Sequence, residues 1–338
     1  MTRRERVLVV KLGALGDLLL SVPHLEVILE AHAGADVVLM TAPALAPLFA
    51  HDPRLTLIPC DRRRTLGAGG FLSALRRAAR GGFSVVYDLQ CRRKTKLIAW
   101  ATRAPRRIGN VPSPAYTAWP DPEAFRAAPK NAFHRLNMVL QTAGLPPARP
   151  GAATLHPSKA DLEAVAGWLT EAGIAGQPLA LLHAGSSARW PSKRWPAEHF
   201  AQVARWLQSC GVAVVLTGGR EDAEVNRGIA RIAGMDATGR FGLLGLYALA
   251  RRARLALVND SGPMHLFALA GVPVYAFFGP TDWERSHAAG QEHRVLRAPG
   301  VACSPCHLGR CPPARGHACL RGIPPEAVIA RLADDLGP

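Results

Sequence analysis

The residues best placed to do chemistry lie in Val258-Asn-Asp-Ser-Gly-Pro-Met-His265, where a strand-like run, Leu255–Val258, meets a helix-like run, Leu266–Ala270. At such a junction Asp260 or Ser261 is in position to cap the helix, and the unpaired N–H groups of the first turn suit an anion. A second junction of this kind follows Val7-Leu-Val-Val-Lys11: the turn Leu12-Gly13-Ala-Leu-Gly16-Asp17 precedes a helical run from Leu18. Gly13 and Gly16 permit a tight turn there. Two roles are open for Asp17. A helix start favours its carboxylate as a cap or first-turn acid, and a carboxylate within reach of a hydroxyl is also a general base. The Gly-x-x-Gly lacks the third glycine of the dinucleotide fingerprint, which argues against a nicotinamide cofactor. Lys11, in the same loop, would hold Asp17 ionised and is a candidate phosphate contact.

A third loop follows the run Leu179–His183, where Gly185-Ser186-Ser187 offers amides and hydroxyls in a small concavity suited to phosphate oxygens. Lys193 comes next, on a segment flanked by tryptophans that would restrict its motion; a surface lysine between packing rings is the alternative. The run Val212–Thr217 leads into Gly-Gly-Arg-Glu221-Asp222. Four of the seven cysteines form Cys303-x2-Cys306-x4-Cys311-x7-Cys319. In a chain that otherwise reads as cytosolic, such spacing favours a structural metal, zinc or iron, over disulfides or free thiols. Cys60, Cys91 and Cys210 stand alone and read as core residues.

The elements that must position these residues are short β-branched runs alternating with longer helical patterns. The runs are Val7–Val10, Asp36–Met40, Leu55–Ile58, Phe83–Leu89, Leu179–His183, Val212–Thr217, Leu255–Val258 and Val272–Phe277. Continuous apolar runs in βαβα order predict an α/β fold with parallel, doubly wound sheets covered on both faces. The proline-dense stretch Leu145–Ser158 marks a boundary, giving domains 1–150 and 151–338, the second carrying the Cys-rich segment 303–319. Two nucleotide-type sheets would enclose a cleft at the C-terminal ends of their strands.

The 338 residues carry a net charge of +16, and residues 54–107 alone hold 14 basic against 2 acidic side chains. They cluster as Arg62-Arg63-Arg64, Arg76-Arg77, Arg92-Arg93-Lys94-Thr-Lys96 and Arg106-Arg107. Such a field attracts a polyanion: nucleic acid, an anionic lipid surface or a phosphorylated glycolipid; solvated faces are the alternative. Nucleic acid is disfavoured because Phe71, Phe83, Tyr87 and Trp100 are placed as core residues rather than as a stacking platform. No window holds 18 consecutive apolar residues, and the N-terminus is unlike a signal peptide, so the chain reads as cytoplasmic.

Three segments together resemble glycosyltransferase family 9, the ADP-heptose:lipopolysaccharide heptosyltransferases. They are Val9–Pro23, His183–Pro196, and Asn259–His265 followed by Gly271-Val-Pro and Phe278-Gly-Pro-Thr-Asp282. The resemblance implies a GT-B fold with an N-terminal acceptor domain and a C-terminal nucleotide-sugar domain. It implies an inverting heptosyltransferase of lipopolysaccharide biosynthesis with Asp17 as general base and Lys193 neutralising the departing ADP. The implied donor-binding residues are Gly13, Gly16, Ser186, Ser187, Lys193, Glu221 (with Asp222 or Glu224 as substitutes for ribose), Asp260, Ser261, Gly262 and His265. Lys11, Arg62, Arg63, Arg64, Arg92, Arg93 and Lys94 would receive an anionic glycolipid acceptor, with peripheral contact to the inner leaflet. No Asp-x-Asp stands at a strand end, so catalysis would need no cofactor or divalent cation. Relatives of this kind also act on polypeptides, and a non-catalytic nucleotide-sugar sensor is the remaining alternative.

Overall fold

The computed structural model describes residues 4–151 and 153–336. Ala152 of the proline-dense stretch and the three N-terminal residues that entered the signal-peptide reading lie outside them. The chain divides into two compact units, Met1–His156 and Pro157–Pro338, which part inside that stretch.

The first unit is built on β1 (Arg6–Val10), β2 (Asp36–Thr41), β3 (Leu55–Pro59), β4 (Val85–Asp88) and β5 (Arg106–Ile108), parallel throughout in the order β3-β2-β1-β4-β5. Leu8 and Val10, Val38 and Met40, and Val86 share one buried cluster. Phe71, Ala74 and Ala78 of the Phe71–Arg80 helix and Ile98 of the Arg93–Ala101 helix cover it. The period-2 alternation of a strand puts these residues on one face, and helices on both faces explain why the sequence shows no polar alternation.

The second unit carries β6 (Leu179–His183), β7 (Ala213–Leu216), β8 (Met235–Asp236), β9 (Ala253–Asn259), β10 (Val274–Phe277) and β11 (Val295–Leu296), parallel in the order β11-β10-β9-β6-β7-β8. One face packs on Phe200, Ala204 and Leu207 of the Ala197–Ser209 helix and on Val328 and Leu332 of the Pro325–Leu336 helix. Trp195 seals its end, stacked on Phe277 at 4.1 Å between centroids and donating from Nε1 to the Ile323 carbonyl at 3.0 Å. The stack contributes about 1 kcal/mol beyond area burial.

The strands absent from the sequence reading are β5, β8 and β11. All three lie away from the sheet centre and span two or three residues, too short for a periodic signal, and β5 reads Arg-Arg-Ile. In each sheet the connections reverse direction once, between β1 and β4 in the first and between β6 and β9 in the second. Open α/β sheets receive ligands at that crevice, beyond the carboxyl ends of the strands.

A buried histidine makes the first unit pH-sensitive. His24, in the Leu15–Ala31 helix, donates from Nε2 to the Phe133 carbonyl at 3.0 Å and meets the Phe133 ring edge-on at 4.7 Å. Burial pushes its pKa down to about 4, against the opposing pull of that carbonyl. The folded pKa lies below the unfolded one, so the contribution is complete above about pH 6.5 and is lost as pH falls toward 4, amounting to about 3 kcal/mol. Urea midpoints at pH 7 and pH 4.5 should therefore fall less for His24→Gln, which keeps a donor without the charge, than for the wild type. An equal fall in both removes His24 as the cause.

Candidate active site

In the first unit, β1 runs into a turn that opens the Leu15–Ala31 helix. Gly13 sits at φ +110°, a region L side chains rarely adopt, and a Cβ there would stand 3.0 Å from the Leu45 side chain. Gly16 carries no such requirement and lies inside the helix. Ala14 occupies the N-cap without a side-chain cap bond, and Asp17 is the third helical residue, exposed. Asp17 is thus a first-turn acid and not the cap, with its carboxylate in the positive field of the helix start.

Lys11 is placed otherwise than expected. Its side chain is buried, and Nζ donates to the Leu89 carbonyl at 3.0 Å. Burial holds its pKa below the ordinary lysine value, partly offset by Asp17, Cys91 and Asp88. An ammonium enclosed in this way does not reach a solvent-borne phosphate; it ties the β1 turn to the end of β4, as the Leu12 amide also does by donating to Gln90 Oε1 at 3.1 Å.

The end of β4 holds a polar network that the sequence reading missed. Asp88, fully buried, accepts from Tyr116 Oη at 2.6 Å and from the amides of Cys91 at 2.8 Å and Gln90 at 3.0 Å. Burial pushes its carboxyl up while these bonds pull it down. Cys91, read as an isolated core residue, belongs to this network: its thiol is pushed up to about 12 by burial and by Asp88, and it accepts from the Asn110 amide at 3.3 Å. Cys60 is buried, whereas Cys210 is exposed at the end of the Ala197–Ser209 helix.

Beyond this network begins the Arg93–Ala101 helix, with Arg92 at its N-cap. Arg92, Arg93 and Lys94 are exposed there, as are Arg62, Arg63 and Arg64. Lys94 joins the two groups by donating to the Arg62 carbonyl and lying 5.0 Å from the Phe71 ring centroid. Cations at a helix N-terminus oppose the macrodipole, an arrangement that an anion relieves. Phe71, Phe83 and Tyr87 are buried as expected, but Trp100 is 60% exposed, and Leu97 one turn earlier is 42% exposed. The apolar outer face of this short helix is invisible to a reading that assigns every aromatic to the core.

In the second unit, β6 and β9 deliver their loops to the switch point. Asn259 ties them together: Nδ2 donates to the carbonyls of Ala184 at 2.8 Å and Gly185 at 3.2 Å, while Oδ1 accepts from the Trp195 amide at 2.9 Å. The Ser186 hydroxyl is committed inward. It donates to the Trp190 carbonyl at 2.9 Å and accepts from Arg194 Nε at 3.2 Å, so its expected contact with phosphate is replaced by a loop-holding role. Ser187 remains exposed.

Lys193 approaches Asp260, with Nζ 2.6 Å from Oδ2, and lies 5.1 Å from the Trp190 ring centroid. Thr281 donates to the same Oδ2 at 2.6 Å. Asp260 therefore does not cap the following helix, Gly262–Leu269. Ser261 is the N-cap, makes no side-chain cap bond, and donates instead to the Asn259 carbonyl at 3.1 Å. Among the described residues no side-chain cap bond is made at this helix start, which follows the Asp260–Lys193 pair. His265 is buried within that helix.

Glu221 is exposed on the turn after β7, with its carboxylate over Gly219. Asp222 is unsuited as its substitute: it is buried beneath Gly185 and Gly218, where a Cβ would fall 2.3 Å and 2.8 Å from it, and it accepts from the Gly219 amide at 3.1 Å. Glu224 is exposed. His183 is buried, and burial holds its pKa down against the pull of Asp222. The structure thus gathers Ser186, Ser187, Lys193, Asp260, Ser261 and Gly262 at one switch point. Gly13, Gly16 and Asp17 lie at the other, in the first unit.

The cysteines of the 303–319 segment are free thiols. Cys319 is pushed up to about 11, by burial first and then by Cys303, Cys306 and Cys311. Among the described residues no three His, Cys, Asp or Glu side chains are grouped to hold a metal ion, so the expected ligand set is not assembled.

Two doubly wound parallel sheets, one in each unit, make the α/β architecture of the GT-B fold class. Residues 72–314 match the sequence profile of glycosyltransferase family 9 (heptosyltransferase), and the chain belongs to that family. It is 30% identical over 144 residues to lipooligosaccharide heptosyltransferase 2 of Campylobacter jejuni, a match covering 41% of this chain and 45% of that protein, so under half of the relative's length is spanned. Lipopolysaccharide heptosyltransferase 1 of Pseudomonas aeruginosa is 27% identical over 325 residues, 90% of this chain and 87% of that one. Among solved structures, the family 9 glycosyltransferase of Veillonella parvula superposes with a TM-score of 0.79 at 26% identity, covering 98% and 97% of the two chains. ADP-heptose lipopolysaccharide heptosyltransferase II of Escherichia coli shares the fold, with a TM-score of 0.71 at 20% identity over 97% and 98%.

Proposed function

We propose that the protein transfers a heptose from ADP-heptose to an anionic glycolipid of the lipopolysaccharide inner core, with inversion and without a divalent cation. The observation that carries this reading is Lys193, held beside Asp260 at a helix start whose N-cap, Ser261, makes no side-chain cap bond: an ammonium and a helix N-terminus together suit a diphosphate. Solved relatives of the same fold support the choice of donor, one described as E. coli heptosyltransferase WaaC with ADP and another as the same enzyme with ADP-2-deoxy-2-fluoro heptose.

In this mechanism Asp17 takes the proton of the acceptor hydroxyl as its oxygen attacks the anomeric carbon. The bond from that carbon to the diphosphate breaks with its electron pair, and the charge arriving on ADP is met by Lys193 and by the amides at the start of the Gly262–Leu269 helix. Ser187 is a further diphosphate contact, and Glu221 accepts from the ribose hydroxyls. Arg62, Arg63, Arg64, Arg92, Arg93 and Lys94 receive the acceptor's phosphates and acidic sugars.

Incubating the protein with ADP-heptose and a heptose-deficient inner-core acceptor tests the reading. A heptosylated glycolipid with inverted anomeric configuration is expected, in the presence of EDTA as in its absence. Heptose appearing only on a polypeptide acceptor contradicts the glycolipid assignment, and tight ADP binding with no transfer to either acceptor contradicts the assignment as an enzyme.

Among the described residues no helix is long and apolar enough to cross a membrane. The reading places the protein in the cytoplasm, touching the inner leaflet through the helix that exposes Leu97 and Trp100 beside Arg92, Arg93 and Lys94. Replacing Trp100 by Ser should weaken binding to phosphatidylglycerol vesicles about tenfold in cosedimentation, the effect of returning one large apolar side chain to water. Unchanged binding removes this helix from the membrane contact.

A further inference from the structure

The Cys-rich segment grips the residues next to both partners of Asp260. At one end, each polar group of Ser192 is taken by it. The Ser192 amide donates to the Gly309 carbonyl at 3.1 Å, the hydroxyl donates to the Leu308 carbonyl at 2.6 Å, and the carbonyl accepts from His317 Nε2 at 2.7 Å. Ser192 is buried and directly precedes Lys193. At the other end, the Ser304 hydroxyl donates to the Gly279 carbonyl at 2.6 Å and the His307 amide to the Pro280 carbonyl at 2.7 Å. Pro280 directly precedes Thr281. Lys193 and Thr281 are the two groups that share Oδ2 of Asp260, each at 2.6 Å.

We propose that residues 303–319 are a brace that sets the spacing of Lys193 and Thr281 about Asp260, with His317 and Ser192 as positioning residues for the donor diphosphate. The proposal rests on the reading of Lys193 as the diphosphate contact. The brace is closely fitted. A Cβ on Gly309 would fall 2.4 Å from the Arg189 carbonyl oxygen, and one on Gly279 would fall 2.7 Å from Cys319 Sγ, so neither backbone has slack to let the loops separate. An ammonium on a flexible stem has no preferred direction of its own, and its place over an incoming diphosphate depends on the backbone that carries it together with the Asp260 and Trp190 contacts that hold its tip. Ser192 fixes that backbone from the N-terminal side, where Lys193 occupies a single short turn, Pro191–Lys193. A displacement of about 1 Å at such a contact is enough to lose most of its effect.

The test compares His317→Ala with His317→Gln. His317 lies at φ +56°, where Ala and Gln meet a similar backbone cost, while of the two only Gln retains a side-chain N–H able to reach the Ser192 carbonyl. ADP affinity by calorimetry, and donor and acceptor KM measured separately, are the readouts. His317→Ala should weaken ADP binding and raise donor KM about tenfold, one positioned hydrogen bond's worth, and leave acceptor KM unaltered; His317→Gln should return both to within about twofold of wild type. Ser192→Ala, which loses only the bond to Leu308, and Gly309→Ala, which presses on the Arg189 carbonyl, should act in the same direction and decide the matter if His317→Ala does not fold. The brace is overturned if the folded variants bind ADP as the wild type does, or if Ala and Gln at 317 behave alike. Lys193→Ala measured alongside separates the two readings. If it too binds ADP normally, the diphosphate assignment has failed; if it alone is impaired, the brace has failed and that assignment stands.

Discussion

Asp17→Asn is expected to lower the rate of transfer by about 10²–10⁴-fold, the range that a positioned general base contributes, while ADP affinity changes less than twofold. The structure makes this substitution a clean probe. Asp17 is exposed at the third position of its helix, and Ala14 holds the N-cap, so no capping bond depends on the carboxylate. Losing a first-turn charge costs the fold about 0.5 kcal/mol, and it also removes one of the charges that offset the burial of Lys11, so turnover is read beside the melting temperature. An amide of the same shape keeps the contacts and cannot accept the hydroxyl proton. A rate within tenfold of wild type, in protein with an unaltered melting temperature, means that another group removes the proton.

Lys193→Ala is the second large effect, expected to lower kcat/KM for the donor by about 10²–10³-fold. Two costs combine. In the proposed mechanism the ammonium assigned to the departing diphosphate is gone, and Asp260, with its side chain 8% exposed, keeps only Thr281 on Oδ2. A carboxylate stripped of its cation then faces the incoming anion across the same helix start. Removing that charge as well should recover part of the loss, so Lys193→Ala with Asp260→Asn should bind ADP more tightly than Lys193→Ala alone. Equal affinities in the two variants show that Asp260 exerts no field on the diphosphate.

The parallel, doubly wound character of the sheets and the junctions after β1 and β9 were legible because central parallel strands must be apolar on both faces. Val7–Val10 and Leu179–His183 therefore stand out from their surroundings. Edge strands such as β8 and β11 bury little and leave no such trace. The site was legible as residue types and not as contacts. Lys193 and Asp260 were both visible, but a pairing across 67 positions exists only once β6 and β9 lie side by side. Asn259, inside the recognised motif, drew no role because its work is to hold three backbone groups rather than a ligand. Lys11 was misassigned for the opposite reason: a lysine in a loop looks solvated, and only the fold turns its ammonium onto the Leu89 carbonyl. The cysteine spacing pointed to a metal, while the groups of that segment that hold the backbone beside Lys193 and Thr281 are two carbonyls, the Ser304 hydroxyl, the His307 amide and the His317 ring, which carry no spacing signal.

The most direct measurement is single-turnover transfer of heptose from ADP-heptose to an inner-core glycolipid, with wild type and Asp17→Asn brought to equal donor occupancy. The account predicts rapid formation of the heptosylated product by the wild type and a rate at least about a hundredfold slower in the variant. Comparable rates in the two proteins, or no product from a wild type fully occupied by donor, would contradict it.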